Sequence, residues 1–288
     1  INDLENPDRV LIGGEDPDAI NALVEIYLNW VPSEKVICTN LWSSELSKLA
    51  ANAFLAQRIS SINSISAFCE ATGGDIHDVA KAIGSDKRIG EKFLSAGPGF
   101  GGSCFKKDIL NLVYLSGYFG LPEVANYWNQ VVLLNTWQQD RIYKIVLEKL
   151  FGTVNGKNIA ILGFSFKANT NDTRESPAIR IASDLLEEGA LLSIYDPKVS
   201  FERIKDDIEK NSFDSKDNWK TANSIPDALK NADAVLILTA WDEFFGLDWN
   251  YLASLMRSPS WIFDTRSVVN RKEIENTSLK LWKLGEGS

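Results

Sequence analysis

The chain has 288 residues, of which 44% are hydrophobic, so it can bury a sizeable core, and its length favours two domains over one. Charges of both signs are interspersed around a net charge of −9, no apolar run reaches about 18 residues, and the N-terminus lacks a signal-peptide pattern, which argues against nucleic-acid binding, a membrane span and secretion. Three scattered cysteines and one histidine argue against a disulfide framework, a histidine-based metal site and a Ser-His-Asp triad, and they favour a reducing, cytoplasmic compartment.

The beginning of the chain carries a single strand–helix–strand pattern. Two short strands are predicted at residues 10–14 and 36–39, with a capped helix over residues 16–30 between them. Because two strands and one helix cannot bury a sheet, we expect residues 1–40 to be the end of an α/β domain. The chain starts on Ile1 and a polar stretch, so we expect it to be part of a longer protein, the alternative being a processed N-terminus.

Helical spacing dominates from residue 41 to about residue 150. Apolar residues at three- and four-residue steps predict one long helix of several turns from Ser43, and further helices are predicted over residues 77–83, 108–117 and 122–150. This all-helical middle is typical of an oligomer interface, and it fits a helical core within one chain equally well. The sequence leaves both alternatives open.

The last part of the chain, residues 151–288, alternates strands with helices. Strands are predicted at residues 159–162, 191–195, 234–238, 261–263 and 279–284, and helices over residues 176–188, 226–231 and 251–256. Residues 206–220 are expected to form a charged, solvated excursion. The alternation predicts a parallel sheet covered by helices on both faces, and hence an α/β fold.

The first candidate for chemistry is Cys104, in the run Gly99-Phe-Gly-Gly-Ser-Cys-Phe-Lys-Lys-Asp108. The glycines allow the backbone to pass close to a ligand, and their amides could support a developing oxyanion. Lys106 and Lys107 favour the nucleophilic thiolate, and Asp108 could orient or activate a water. The alternative is a free cysteine buried as a small hydrophobe, and spacing alone does not decide between the two.

A second candidate is the pair Lys48 and Asn52 on the long predicted helix. The two residues are four apart, so they project from one face, where both can donate to an anionic oxygen. The alternative is an ordinary solvated helix face. The pair gains weight only if it lies beside Cys104.

A third group of candidates follows predicted strands of the last domain. Lys167 and Arg174 lie in residues 163–176, after a strand and before a helix, and they suit phosphates. This segment has only one glycine where Gly-x-Gly-x-x-Gly needs three, so it is not a dinucleotide fingerprint. Asp196 closes the next strand as either a ribose-binding acid or a turn residue, and Arg266 is either a ligand contact or a surface arginine.

Residues 43–58, the Cys104 run and residues 163–176 together resemble the UDP-glucose 6-dehydrogenase family, in the family's order and spacing and over nearly the whole chain. The resemblance implies an NAD-dependent, four-electron oxidation of UDP-glucose to UDP-glucuronate that uses two NAD and one water. It also implies three regions. These are a remnant of an N-terminal Rossmann-like NAD domain (1–40), a central helical dimerisation domain (41–150) and a C-terminal Rossmann-like UDP-binding domain (151–288).

The resemblance also implies roles for individual residues. Cys104 matches the thiol that adds to the intermediate aldehyde and leaves a thioester to be hydrolysed. Lys48 and Asn52 match the pair that holds the reacting oxygens and water, and Asp108 matches the carboxylate associated with them. Arg174 matches a cofactor contact, and no metal is implied. The residues that match substrate contacts are Phe93, Leu94, Gly101, Phe166, Lys167, Arg266 and Arg88, the last reaching a neighbouring subunit's substrate.

The chain departs from the family pattern at its start. The glycine fingerprint of the NAD domain, its ribose-binding acid and a glutamate expected just upstream of Ile1 do not occur in the sequence. We therefore expect this chain by itself to bind UDP-sugar weakly and to turn nothing over, and to form a homodimer or higher oligomer through the central helices. The alternatives are a stand-alone nucleotide-sugar-binding or dimerisation module, and a dehydrogenase for GDP-mannose or a UDP-N-acetyl sugar.

Overall fold

The beginning of the chain forms the predicted strand–helix–strand unit in a computed structural model, which describes residues 2–211 and 218–287. Its elements are α1 (Asn2–Glu5), β1 (Val10–Gly13), α2 (Pro17–Tyr27), a 3-10 turn (Ser33–Lys35) and β2 (Val36–Thr39). The two strands pair in parallel, with Val10 opposite Val36. The Asp16 side chain accepts a hydrogen bond from the Asp18 amide and so caps α2, as predicted. None of the residues of α2 is buried.

The long predicted helix is α3 (Leu41–Thr72), which has 32 residues. It begins two residues before the predicted start because Asn40 takes the capping position and accepts a hydrogen bond from the Ser43 amide at 2.8 Å. It ends at Gly73, whose φ of 80° is readily adopted only by glycine.

Three more helices complete the central region: α4 (Ile76–Gly84), α5 (Phe105–Tyr118) and α6 (Pro122–Lys149). Helices α5 and α6 pack with α3 around a small apolar cluster of Ala53, Ala56, Phe100, Ile109, Trp128 and Val131, and α4 packs on α3 in a separate cluster with Ile62 and Cys69. Large apolar residues remain exposed on the same helices, among them Phe54, Phe68, Tyr114, Tyr118 and Tyr127. None of the helices in the described part of the chain is long and apolar enough to cross a membrane.

The last part of the chain forms a six-stranded sheet in the order β5-β4-β3-β6-β7-β8, with every pair parallel. Its strands are β3 (Asn158–Leu162), β4 (Leu191–Tyr195), β5 (Trp219–Thr221), β6 (Ala234–Ile237), β7 (Ser260–Asp264) and β8 (Leu279–Lys283). Its helices are α7 (Pro177–Glu187), α8 (Phe201–Asn211), α9 (Ile225–Leu229), α10 (Trp249–Leu255) and α11 (Arg271–Ile274), with a 3-10 turn at Asp242–Phe244. The predicted α/β fold is confirmed.

Both faces of this sheet are covered. One apolar cluster joins the sheet to α7, α8 and the end of α6, where Ile142 and Val146 are fully buried. The other joins it to α9 and α10 around Phe244 and Trp249. All residues of the central strand β6 are buried, which explains its continuous apolar sequence.

The expectation of a solvated excursion over residues 206–220 is wrong for the residues that the structure describes. Residues 206–211 belong to α8 and residues 219–220 to β5, and residues 212–217 lie outside the described ranges. The charged residues obscure the amphipathic pattern of α8, in which Ile204 and Ile208 are one turn apart and pack into the core. Trp219 stacks on Phe201 at a ring distance of 5.6 Å, so the sheet gains a strand at its edge.

Candidate active site

Lys48 and Asn52 meet a carboxylate of another helix. The Lys48 Nζ and the Asn52 Nδ2 both donate to the Asp108 Oδ2 at 2.5 Å. The side chain of Asp108 is only 5% exposed, whereas that of Lys48 is 60% exposed. The pair is therefore held in place by a buried carboxylate, while the lysine still reaches solvent.

Asp108 is a charged group at neutral pH. Burial alone would raise its pKa, but hydrogen bonds from Lys48 and Asn52 and the positive charges of Lys48 and Lys107 hold the pKa below its usual range. The Asp108 carboxylate orients Lys48 through its hydrogen bond, and the other Nζ donors of Lys48 can serve a negatively charged or polar oxygen.

Cys104 is a free and exposed thiol at the start of α5. Its carbonyl accepts a hydrogen bond from the Asp108 amide at 2.9 Å, so the thiol lies one helical turn from the Asp108 cluster. The Ser103 hydroxyl lies 3.6 Å from its Sγ. The alternative of a buried structural cysteine is therefore wrong.

Two cations lie near Cys104, Lys106 next to it in the sequence and Arg174 across the glycine loop. Lys106 pairs with Glu175 at 2.8 Å. Arg174 pairs with Asp172 at 2.7 Å, and its pKa is raised first by that carboxylate and, more weakly, by the charge of the Cys104 thiol. Arg174 therefore places a positive charge close enough to interact with Cys104.

Amide side chains from two helices hold the loop that precedes Cys104. The Gly97 amide donates to the Asn63 Oδ1 at 2.8 Å, and the Gln138 Nε2 donates to the Gly97 carbonyl at 2.8 Å. Asn135 accepts from the Phe100 amide at 2.8 Å and donates to the Phe100 carbonyl at 3.1 Å. The loop is thus fixed to α3 and α6 through buried hydrogen bonds.

The same loop is fixed to the sheet region through its glycines. The Gly102 amide donates to the Arg174 carbonyl at 2.8 Å, and Gly102 has a φ of 85°. A Cβ on Gly101 would lie 2.5 Å from the Glu175 carbonyl oxygen and 2.8 Å from the Cβ of Phe166. Only glycine allows this close approach, which brings Cys104 to the edge of the parallel sheet.

Phe93, Leu94 and Arg88 occupy three different environments. Phe93 has a φ of 62° and an exposed side chain, which is available to a ligand. The Leu94 side chain is 8% exposed in a cluster with Ile62, so only its backbone can face a ligand. The Arg88 side chain pairs with Asp86 at 2.6 Å on an exposed turn and joins none of the clusters above within the described residues.

Arg266 joins this loop from the sheet region, so the alternative of a surface arginine is wrong. Its Nε donates to the Leu238 carbonyl at 2.8 Å, and a Cβ on Gly97 would lie 2.9 Å from its Nη1. Burial lowers the pKa of Arg266 to about 10, although Asp264 opposes this shift. Across residues 2–211 and 218–287, neither terminal nitrogen has a hydrogen-bond acceptor, so both can serve an anionic ligand.

Lys167 and Asp196, the two remaining candidates, differ in whether they can still bind a ligand. The Lys167 Nζ lies over the Phe166 ring at 5.3 Å and is exposed, so it can reach a ligand. The Asp196 carboxylate instead accepts hydrogen bonds from Phe164, Ser165 and Trp241 and from the backbone amides of Lys198 and Val199. Asp196 is therefore a turn residue that fixes the end of β3.

A cleft of about 950 Å³ opens beside this site, between α5 and α6 on one side and α7 and α8 on the other. Its lining includes Ser103, Lys106, Lys107, Arg174, Arg203 and Asp207. Within the two described ranges, no three His, Cys, Asp or Glu side chains are arranged to hold a metal ion.

Sequence reasoning missed the amides that hold the loop. Asn63 lies on the inward stripe of α3, and Asn135 and Gln138 lie on that of α6. A carboxamide at an inward position of a predicted amphipathic helix is the signal that identifies such residues, because a buried amide needs a partner.

Known proteins similar to this chain point in one direction. The family model described as the UDP-glucose/GDP-mannose dehydrogenase central domain matches residues 42–137, and that of the UDP binding domain matches residues 160–271. UDP-glucose 6-dehydrogenase 2 of Oryza sativa subsp. japonica is 50% identical over 303 residues, and the UDP-glucose 6-dehydrogenase of Drosophila melanogaster is 51% identical over 295 residues.

Both matches cover 99% of this chain but only 63% and 62% of those two relatives, so the chain spans less than two thirds of their length. Among solved structures, a UDP-glucose dehydrogenase from Pyrobaculum islandicum has a TM-score of 0.82 and 31% sequence identity to this chain. That match covers 100% of this chain and 60% of the other.

Proposed function

This chain belongs to the UDP-glucose/GDP-mannose dehydrogenase family, and we propose that it binds a UDP-sugar and presents the sugar's C6 to Cys104. The observation that carries the proposal is the convergence at one loop. Residues 93–104 bring an exposed thiol within one helical turn of the Lys48–Asn52–Asp108 cluster, and the same loop packs against Arg266.

The nucleotide contacts follow from charge and exposure. Arg266 has free donors at the loop, and Lys167 is an exposed cation, so the two suit the oxygens of a diphosphate. Phe93 and Phe166 offer apolar surface for the remainder of the ligand, and Gly101 allows the ligand to approach the backbone. The proposed ligand is UDP-glucose, with UDP-glucuronate as the product.

The proposed chemistry of the whole protein centres on a carbonyl at C6 of the sugar. The Cys104 sulfur adds to the carbonyl carbon, while Lys48 and Asn52 donate hydrogen bonds to the oxygen that becomes negative. Asp108 orients Lys48 for this role by accepting its hydrogen bond. The adduct is a thiohemiacetal, and it becomes an acyl-cysteine only when its C6 hydride leaves to an external hydride acceptor and its hydroxyl loses a proton. The same donors then hold the water that hydrolyses the acyl-cysteine, which gives the carboxylate and restores the Cys104 thiol.

Oxidation of C6 also needs a hydride acceptor, and the enzymes of this family use NAD. We propose Arg174 as a contact to NAD because it is an exposed cation close to Cys104. The described residues do not complete a dinucleotide site around it, since one glycine, Gly163, follows β3 and the Asp196 carboxylate is fully engaged.

The proposed partner is a second copy of this chain. The exposed aromatic and aliphatic residues of α3, α5 and α6 form an apolar face that association through the central helices would cover. Arg88 is exposed and is free to reach a neighbouring subunit's substrate once it leaves Asp86. The location that we propose is the cytoplasm.

Isothermal titration calorimetry tests the binding proposal. We expect UDP-glucose and UDP to bind, and GDP-mannose to bind at least about tenfold more weakly. Arg266→Ala should weaken UDP binding by about tenfold or more, because it removes charged donors from the diphosphate. Arg257→Ala is the matched control, since Arg257 precedes β7 where Arg266 follows it. Equal binding of both nucleotides, or equal effects of both substitutions, would contradict the proposal.

A further inference from the structure

Gly97 is the point where three parts of the protein meet. Its amide is held by Asn63, its carbonyl is held by Gln138, and the Arg266 guanidinium packs against its Cα. The position of Gly97 therefore sets how the loop of residues 93–104 lies relative to Arg266. Gln138 itself does not line the loop's open side, because its side chain is fully buried.

A series of hydrogen bonds holds Gln138 on the side away from Gly97. The Arg141 Nε donates to the Gln138 Oε1 at 3.2 Å, and the Arg141 Nη1 donates to the Glu70 Oε2 at 2.6 Å. Arg141 also donates to the Ser66 hydroxyl at 3.3 Å. The Gln138 carboxamide accepts from Arg141 through its oxygen, so its nitrogen must face Gly97 and cannot flip without losing both bonds.

The C-terminal segment holds Glu70, the last member of this series of hydrogen bonds. The Gly285 amide donates to the Glu70 Oε1 at 2.8 Å, and the Gly285 carbonyl accepts from the Ile76 amide at 2.9 Å. Gly285 has a φ of 79°, and a Cβ there would lie 2.3 Å from the Ile76 Cγ2. The Gly287 amide donates to the Gly74 carbonyl at 2.9 Å, which closes the segment onto the turn before α4.

The ion pair between Arg141 and Glu70 is largely removed from water. The side chains of Arg141 and Glu70 are 13% and 15% exposed. Both carboxylate oxygens of Glu70 and all three guanidinium nitrogens of Arg141 have partners, so the pair is fixed in one geometry. A buried pair of this kind specifies geometry more than it adds stability.

We propose that Glu70, Arg141 and Gln138 are positioning residues for nucleotide binding, which they control by setting the Gly97 backbone against Arg266. None of the three contacts the ligand in this account. The inference rests on the proposed function, because it assigns the loop of residues 93–104 to the UDP moiety. The inference adds a group of residues that is held by the C-terminal segment and lies on the buried side of the loop. Substitutions in this group should alter UDP affinity although none of its members contacts UDP.

The first test is Gln138→Met, which keeps the length of the side chain but removes both hydrogen-bonding groups. We expect the Kd for UDP, measured by calorimetry on the protein, to rise by about tenfold, the change that one lost buried hydrogen bond produces. Arg141→Lys keeps the charge beside Glu70 but loses the Nε donor, so we expect a smaller rise. In the double variant the Kd should match that of Gln138→Met alone, since Arg141 acts through Gln138.

Ile142→Val is the matched control, because Ile142 is a fully buried residue of the same helix that packs into the core instead of the loop. It should lower the melting temperature and leave the UDP Kd unchanged. Additive effects of Gln138→Met and Arg141→Lys, or a UDP Kd that follows the melting temperature in all variants, would overturn the positioning role. If the unaltered protein bound no UDP, the proposed function itself would fail, whereas unchanged affinity in Gln138→Met would overturn only this inference.

Discussion

The central helices and the C-terminal sheet bury their polar side chains in different places. In the sheet region many of them lie at or just after the carboxyl ends of strands, as Ser165, Thr239 and Asp264 do, where parallel topology concentrates loops. In the helical region they lie in the middle of helices, as Asn63 and Gln138 do. The two regions meet at the loop of residues 93–104, which takes hydrogen bonds from both.

This difference separates stability from chemistry. The sheet region encloses two apolar clusters that include nine of the twelve largest fully buried side chains among the described residues, so it supplies most of the buried apolar area. The helical region has a smaller core and places its buried amides and Asp108 around the loop and Cys104. We therefore expect substitutions in the two regions to have separable effects on folding and on activity.

The largest expected effect is the loss of product formation on substitution of Cys104, with no change in the fold. In the whole protein, Cys104→Ser should lower UDP-glucuronate formation by at least about a thousandfold, because serine is a far poorer nucleophile without an activating base. Its thermal midpoint should not change, since Cys104 is exposed. Cys38→Ser, at the other exposed cysteine, should leave product formation unchanged. Unchanged UDP-glucuronate formation by Cys104→Ser would remove Cys104 from the mechanism.

The next largest expected effect is a loss of stability caused by a substitution in the core of the sheet region. Phe263 is fully buried in β7 and lies beside Trp261 and Trp282, with ring distances of 5.8 and 6.2 Å. Phe263→Ala should lower the free energy of unfolding in urea by about 3 to 5 kcal/mol, through lost burial and the cavity that remains. Phe245→Ala, at an exposed phenylalanine of the same region, should cost less than about 0.5 kcal/mol. Similar losses in the two variants would contradict the account of the core.

The smallest effect lies at the seam between the regions, where Asp184 of α7 faces α6. Burial raises its pKa to about 6, Arg180 opposes the rise, and the carboxylates of Asp140 and Glu187 add to it. The folded state therefore binds more protons than the unfolded state between about pH 4 and 6, so the free energy of unfolding falls as pH rises through that window and is flat above it.

Asp184→Asn should remove this slope and raise the free energy of unfolding at pH 8 by about 1 kcal/mol, less than the full shift implies because Asp184 keeps some contact with solvent. Urea unfolding from pH 4 to 8 measures both quantities. Asp206→Asn, on the exposed face of α8, should leave the profile unchanged. A slope that persists in Asp184→Asn would assign the titration to another group.

The same difference explains what the sequence could predict of the fold. Short runs of apolar and β-branched residues bounded by polar or turn residues predicted β2 and β4 at their observed bounds, although β2 has no buried residue and β4 is buried only at alternate positions. The part that failed was α8 and β5, where charged residues surround the two buried isoleucines of α8. A short edge strand such as β5 has too few residues for a pattern to be visible.

The site was predictable in part. Helical spacing alone places Lys48 beside Asn52, but Asp108 lies 56 residues beyond Asn52, so only the family resemblance joined the three. Spacing left Cys104 undecided between a reactive and a buried thiol, and its exposure at the start of α5 required the tertiary structure. The buried amides were missed because a polar residue in a helix is expected to face solvent.

One measurement tests the account's central claim, that a UDP-sugar binds against Cys104, most directly. The rate of alkylation by iodoacetamide is followed at each of the three cysteines by peptide mapping, with and without saturating UDP-glucose. Cys38 is exposed and Cys69 is buried with a raised pKa, so they serve as a fast and a slow internal reference. We expect UDP-glucose to slow alkylation of Cys104 by about tenfold or more and to leave Cys38 unchanged. Equal alkylation of Cys104 with and without UDP-glucose, at concentrations where calorimetry shows it bound, would contradict the account.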